Sequence, residues 1–290
     1  MIFSVIVPFF NEQLYIERCI RSLLDQDFDH DEYELLFIDN GSDDGSAEIV
    51  QKFPQVTLLH ESKKNPYTAR NKALETAKGK IIAFTDADCV APGNWLSVIN
   101  RAMQEVNATI VLGKVLFPAT PDSPLEILQD YQNAKIDYLL THRKNRYLYG
   151  YTNNMAVSAK VFDQLGPFLE WPVPGDTEIV HRCLKGIPDA RVVFLKEMTV
   201  LHLEIGSIFT WMKKSYVYGK HNTLISIYAD YKPYDFSTAR AIRNFCSKNN
   251  RYTGKKRVAL LWLQNLMAIA YVTGAIIGYT EFFLLRRHTK

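Results

Sequence analysis

The chain has no CxxC pair, no GxxxxGKS/T or GxGxxG loop, no internal repeat and no low-complexity segment. The missing glycine loops remove the usual support for P-loop and dinucleotide-binding readings. The four cysteines, Cys19, Cys89, Cys183 and Cys246, stand far apart, which predicts a reduced compartment and no disulfide framework. Excess charge is also scarce: 34 Lys+Arg against 31 Asp+Glu leave +3. A general nucleic-acid binder would be more basic, so no nucleic-acid partner is expected. Residues 1–10 are apolar but lack a basic lead and are interrupted at Pro8 and Asn11-Glu12. They read as a buried strand rather than a secretory signal. With 47% hydrophobic and 22% charged residues over 290 positions, the chain is neither disordered nor fibrous. It is long enough for one large domain, with or without an extension.

What is present is an alternation. Short apolar, β-branched runs at 2–7, 34–38, 56–60, 81–85 and 109–115 are separated by segments of helical periodicity at 14–24, 46–52, 68–77 and 94–106. This predicts an α/β fold, a mostly parallel sheet with helices on both faces. Polar loops follow three of the strands: residues 8–12, 39–45 and 86–88. In open α/β sheets ligands bind beyond the strand carboxyl ends, so the three loops should converge on one crevice. After Pro118, Pro121 and Pro124 the pattern changes. Helices are expected at 125–142, 159–165, 176–185 and 207–220, a Pro-punctuated loop at 171–175, and short strands at 191–194 and 198–202.

Two motifs carry chemistry. Asp86-Ala87-Asp88 places two carboxylates just past a strand, where they can aim at a divalent cation and its phosphate ligand. Asp39 ends the second strand in the same way and can accept hydrogen bonds from a base or ribose. Residues 43–46 read as a tight turn with Ser46 as a helix cap.

Together with Val5-Ile6-Val7-Pro8-Phe9-Phe10-Asn11-Glu12, Phe37-Ile38-Asp39-Asn40-Gly41-Ser42-Asp43-Asp44-Gly45-Ser46, Ala69-Arg70-Asn71-Lys72-Ala73-Leu74 and Phe84-Thr85-Asp86-Ala87-Asp88, the chain resembles a family 2 glycosyltransferase of the GT-A fold. The resemblance covers about the first 115 residues, with weaker matches through about Lys220. It implies a nucleotide diphosphate sugar as donor, with Pro8, Asn11, Glu12 and Asp39 at the nucleobase. It puts Arg70 near the nucleotide and Asp86 near the ribose or metal. Asp88 is implied as a ligand of Mn²⁺ or Mg²⁺, and His202 as completing that site or contacting the diphosphate. The competing reading of Arg70 is a solvated helix residue, and that of His202 a structural histidine beside an apolar strand.

Gly175-Asp176-Thr177-Glu178 resembles the family's base motif, with Gly175 where a Glu is common. Asp176 is implied as the general base of an inverting transfer to a hydroxyl acceptor. It also suits a helix cap. Glu178 is the fallback base or an i,i+4 partner of Arg182. Asn153-Asn154 resembles the stretch before the acceptor region and reads equally as a polar loop before a strand. Lys220 is either a diphosphate contact or a solvated lysine. His60, Lys63 and Lys64 read as a solvated loop.

Residues 258–280 hold no charge over 23 positions, enough at ~1.5 Å rise for a ~30 Å bilayer core. Gln264-Asn265 interrupt the run, Gly274 and Gly278 form GxxxG, and Lys255-Lys256-Arg257 and Arg286-Arg287 make both flanks basic. Basic residues at both ends suit an in-plane or re-entrant helix on anionic lipid at the cytoplasmic face, with a single span or a buried helix of the soluble domain as the alternatives. The expected organisation is a catalytic domain over 1–220 (nucleotide half 1–115, acceptor half 116–220), a polar connector over 221–257 and a membrane-associating segment over 258–290, contacting membrane through 258–285. A glycan or lipid-linked acceptor fits that location. Two rivals are a sugar nucleotidyltransferase, disfavoured because residues 8–12 are not a Gly-rich, Arg-containing loop, and a non-catalytic nucleotide-sugar-binding or membrane scaffold.

Overall fold

The computed structural model describes residues 1–118, 123, 125–141, 150–170, 175–204, 206–228, 236–248 and 252–288. The expected loop at 171–174, and Pro121 and Pro124, lie outside them. The chain divides into two compact units: Met1–Leu116, Tyr149–Glu170 and Gly175–Glu204 form the first, and the remainder the second.

The first unit is built on an eight-stranded sheet of order β3-β2-β1-β4-β7-β6-β8-β5, with β1 at Phe3–Phe9, β2 at Tyr33–Asp39, β3 at Val56–His60, β4 at Ile81–Thr85, β5 at Cys89–Val90, β6 at Ile110–Leu116, β7 at Asn154–Ser158 and β8 at Val192–His202. The strands β1 to β4 pair in parallel, as the alternation predicts. β7 then inserts antiparallel between β4 and β6, which makes the sheet mixed. Every residue of β1 is buried, as expected of a strand covered on both faces. Pro8 is tolerated there because the pairing to β4 ends at Ile6, so no ladder bond on that side is lost.

The helices fill both faces. In α1, Ile16–Leu24, the buried Ile16, Cys19, Ile20 and Leu23 form one stripe, and Glu17 pairs outward with Arg21 at 2.7 Å. The short α2, Ser46–Val50, leads to β3. The helix α3, Pro66–Leu74, starts earlier than the apolar pattern suggests: Asn65 caps the Tyr67 N–H at 2.8 Å and Pro66 occupies the first turn. The helix α4, Trp95–Glu105, buries Trp95 completely. The second unit contains α5, Glu126–Thr141; α6, Ala159–Leu165, and α7, Gly175–Gly186, belong to the first.

One polar group organises the sheet centre. Buried Asn154 donates to the carbonyls of Lys114 (2.7 Å) and Met198 (2.8 Å) and accepts from the Trp95 indole (2.9 Å). It therefore ties β7, β6, β8 and α4 together. A side chain at Gly113 would stand 2.3 Å from its amide nitrogen, so only glycine fits. Beside it, between Gly113 and Lys114, the β6–β8 register shifts. The two short strands expected at 191–194 and 198–202 are thus one strand with an irregularity.

The second unit also holds α8, Ile208–Tyr228, α9, Phe236–Lys248, and α10, Gly254–His288. The expected boundary at 220 falls inside α8, and residues 221–228 and 236–248 of the connector are helical. α8 and α10 pack backbone to backbone: a Cβ on Gly219 would lie 1.9 Å from the Tyr271 carbonyl oxygen, and one on Gly274 1.9 Å from that of Tyr216. The GxxxG glycines therefore serve packing within the chain. Lys220 is ion-paired with Glu281 at 2.7 Å, which replaces both earlier readings of that lysine. On α10, Val258, Trp262, Ile269 and Ile276 are 54–66% exposed and fall on one helical stripe.

Candidate active site

The loops after β1 and β2 are one piece. Asn11, in the left-handed region at φ 58°, donates through its side chain to Asp43 (2.8 Å) and accepts the Asp43 N–H (3.0 Å). Its own N–H donates to Ser42, that of Glu12 to Ser46 and that of Gln13 to Asp44. Ser46 is not the helix cap expected of it. Gly45, at φ 88°, takes the cap position, and Asp44 accepts the Ser46 N–H at 3.0 Å. Asp39 is buried at the strand end, accepts the Ser42 N–H at 2.9 Å and lies 3.4 Å from His60 Nδ1. Pro8 is buried within β1, so the exposed part of this loop is Phe10 and Asn11. Lys64 sits over the Phe10 ring at 4.7 Å and Lys63 pairs with Glu170, so neither forms a phosphate site with His60.

The third loop brings the metal candidates together. The two-residue β5 pairs antiparallel with the end of β8, opposing Cys89 to His202. Asp88 Oδ2 then lies 3.2 Å from His202 Nδ1, both residues being buried. Glu12, Asp88 and Glu204 also place carboxylate oxygens within 4.8 Å of one another, as do the ligand atoms of Asp88, Cys89 and His202. Oxygen donors with one imidazole fit a hard divalent cation. Burial, then Asp88 and Asp86, push the Cys89 thiol well up, and a hard cation prefers the oxygen donors to sulfur. Burial first, then Glu204, Glu12 and Asp88, also raise Tyr15, which keeps its phenol neutral beside the cluster.

Arg70 is buried, not solvated. Its guanidinium donates to Asp86 Oδ1 at 2.8 Å, in an ion pair whose arginine side chain is 5% exposed, and stacks on Tyr67 at 5.7 Å. Tyr67 in turn donates to Asp176 Oδ1 at 3.2 Å. α3 thus links the carboxylate beyond β4 to the one at the start of α7. Burial raises Asp176 above the ordinary carboxylate range, against the opposing pull of the Thr177 N–H, Arg70 and Tyr67. Glu178 is engaged by Arg182 at 2.9 and 3.0 Å, and Arg182 is also held by the carbonyls of Leu165 and Pro167. The i,i+4 pairing therefore holds, and Glu178 is not a spare base. Asn154 is structural. Its neighbour Asn153 has its side-chain oxygen buried without a hydrogen-bond partner among the described residues.

Tyr67 and Glu204 were not singled out from sequence. The signal for Tyr67 was Asn65-Pro66, a cap and first-turn pair that starts α3 early and places Tyr67 and Arg70 one turn apart. Glu204 lies two residues past His202 and had no signal of its own.

The model of glycosyl transferase family 2 matches residues 4–165, more than half of the chain. Glycosyltransferase AglE of Haloferax volcanii is 29% identical over 171 residues, 57% of this chain and 55% of the relative. The poly(ribitol-phosphate) beta-N-acetylglucosaminyltransferase TarS of Staphylococcus aureus is 38% identical over 93 residues, 30% of this chain and 16% of the relative. The match to AglE thus spans about half of that relative, and the match to TarS far less. Among solved structures, the mannosyltransferase PcManGT of Pyrobaculum calidifontis, in complex with GDP-Man and Mn²⁺, superposes with a TM-score of 0.65 at 17% identity, over 94% of this chain and 86% of that one. That likeness is one of fold.

Proposed function

The chain belongs to glycosyl transferase family 2, and from that premise we propose that it is an inverting glycosyltransferase acting on a nucleotide diphosphate sugar. The observation that carries this reading is the α3 bridge, in which one buried arginine holds Asp86 and the tyrosine one turn before it holds Asp176. The stitched loops at Asn11, Glu12 and Asp39 receive the base, and Arg70 and Asp86 the nucleotide. Asp88 and His202 would hold Mn²⁺ or Mg²⁺, and the carboxylates of Glu12 and Glu204 lie close to that of Asp88. When bound, the ion supplies Lewis-acid stabilisation of the leaving diphosphate. Asp176 takes the proton of the acceptor hydroxyl while that oxygen attacks the anomeric carbon and the nucleoside diphosphate departs from the opposite face. The partly buried carboxylate, its affinity for a proton raised, suits that task.

The acceptor is a cell-envelope or lipid-linked glycan, and the protein works at the cytoplasmic face of the membrane. The poly(ribitol-phosphate) acceptor named for TarS is one support. The other is α10, long and apolar enough to cross a membrane, with only 28% of its most apolar stretch buried. Its other side rests on α8, and Lys255 and Arg257 are exposed at its start. That arrangement suits a helix lying in the interface.

The test is Asp176→Asn with a panel of UDP- and GDP-sugars, read by released nucleoside diphosphate. Turnover should fall about 10²–10⁴-fold with donor binding retained. Transfer at the wild-type rate would remove Asp176 as base.

A further inference from the structure

We infer that Tyr67 is the positioning residue of Asp176, its ring occupying the space beside Gly175 and its hydroxyl orienting the carboxylate. This rests on Asp176 acting as the base.

The geometry is over-determined. α3 is fastened to the segment before α7 at two places. Asn65 donates to the Glu170 carbonyl at 2.6 Å, and Asn71 exchanges two 2.9 Å hydrogen bonds with the backbone of Phe168. Between these anchors the Tyr67 ring lies against Phe168, centroids 5.9 Å apart. A Cβ at residue 175 would stand 2.9 and 3.0 Å from two carbons of that ring, and 3.1 Å from the Leu169 carbonyl oxygen. The ring and any side chain at 175 therefore compete for one volume, and here the ring has it. On the far side, a Cβ at Gly150 would lie 2.0 Å from the Asp176 carbonyl oxygen, so the aspartate's backbone is closely flanked too.

The hydroxyl then does something a hydrophobic filler would not. It donates to Asp176 Oδ1, and the Thr177 N–H donates to the same oxygen at 2.8 Å. Both bonds turn Oδ1 inward, so Oδ2 is the oxygen presented to an acceptor hydroxyl. The titratable and charged groups facing Asp176 are Tyr67 and Arg70 from α3 and Asp86 beyond β4. Tyr67 itself stays protonated, since burial and then Asp176 push its phenol well up. It is a fixed donor, not a proton shuttle.

The experiment is Tyr67→Phe, which keeps the ring and removes only the donor. Nucleoside diphosphate release from UDP- and GDP-sugars is followed against pH, beside Asp176→Asn. The expected result is unchanged folding by circular dichroism, unchanged donor KM, a kcat lower by about tenfold, and an acid limb moved to higher pH. The direction follows because a donated hydrogen bond favours the charged carboxylate, so its loss lets Asp176 protonate earlier on acidification. An inactive Asp176→Asn beside a Tyr67→Phe with unmoved kcat and acid limb overturns this inference alone. A fully active Asp176→Asn overturns the base assignment, and this inference with it.

Discussion

Asn154→Leu tests how the sheet centre positions the candidate metal site. The substitution keeps approximate volume and removes three hydrogen bonds, at 2.7, 2.8 and 2.9 Å. It takes the Asn154 partner away from two carbonyls and one indole N–H. Each such group costs roughly 1–3 kcal/mol when its partner is lost. Burial of the added carbons returns ~1–2 kcal/mol. The net loss centres on about 4–5 kcal/mol, and water has little access to relieve it, since Asn154 and Trp95 are both 0% exposed. Urea unfolding followed by circular dichroism should show the first unit's midpoint lower by roughly 1–2 M at unchanged slope. A second effect follows from position. One of those carbonyls, that of Met198, lies on β8 four residues before His202, next to the register shift. The stabilisation that added Mn²⁺ confers should therefore shrink in the variant. A loss below about 1 kcal/mol, with Mn²⁺ stabilisation intact, would refute the reasoning, since the three bonds would then be replaceable.

Two further outcomes are expected. His202→Ala and Asp88→Asn should each abolish the upward melting shift produced by Mn²⁺ or Mg²⁺, whereas Cys89→Ala should retain it; thermal unfolding with and without metal reads this directly. Trp262→Glu with Ile269→Glu, at positions 66% and 64% exposed, should cut binding to anionic vesicles at least tenfold while leaving the melting temperature within a few degrees. Removing α10 outright is the poorer test, because it would bare the face of α8 around Gly219.

Much of this molecule was legible in advance, and the exceptions have physical causes. The runs FSVIVPF, YELLFID and IIAFT are predominantly apolar and almost wholly buried, and such runs announce themselves. The long β8 did not, because Lys196 and Glu197 are exposed at its irregularity and break the period. α8 seemed to end at Tyr218-Gly219-Lys220, yet Gly219 is there to admit another helix, a tertiary reason that no local pattern carries. The Asp88–His202 approach depends on a two-residue strand, too short for any periodicity. Asp39, Asp86 and Asp88 were visible because each ends or follows an apolar run, whereas Asp176 was visible only through the family resemblance. What they touch was not: the competing reading of Arg70 as a solvated helix residue fails because tertiary packing buries it.

The reciprocal bonds between Asn11 and Asp43 have a thermodynamic side. A ligand that settles on two separate loops must first bring them to rest, at ~0.5–1.5 kcal/mol for each side chain it immobilises. Here Asn11, Ser42, Asp43, Asp44 and Ser46 are already mutually restrained. Folding has met that entropic cost before any donor arrives. On the proposed placement of the base at these loops, recognition would resemble entry into a standing mould rather than the gathering of loose chain, and a larger share of the contact energy would remain as affinity.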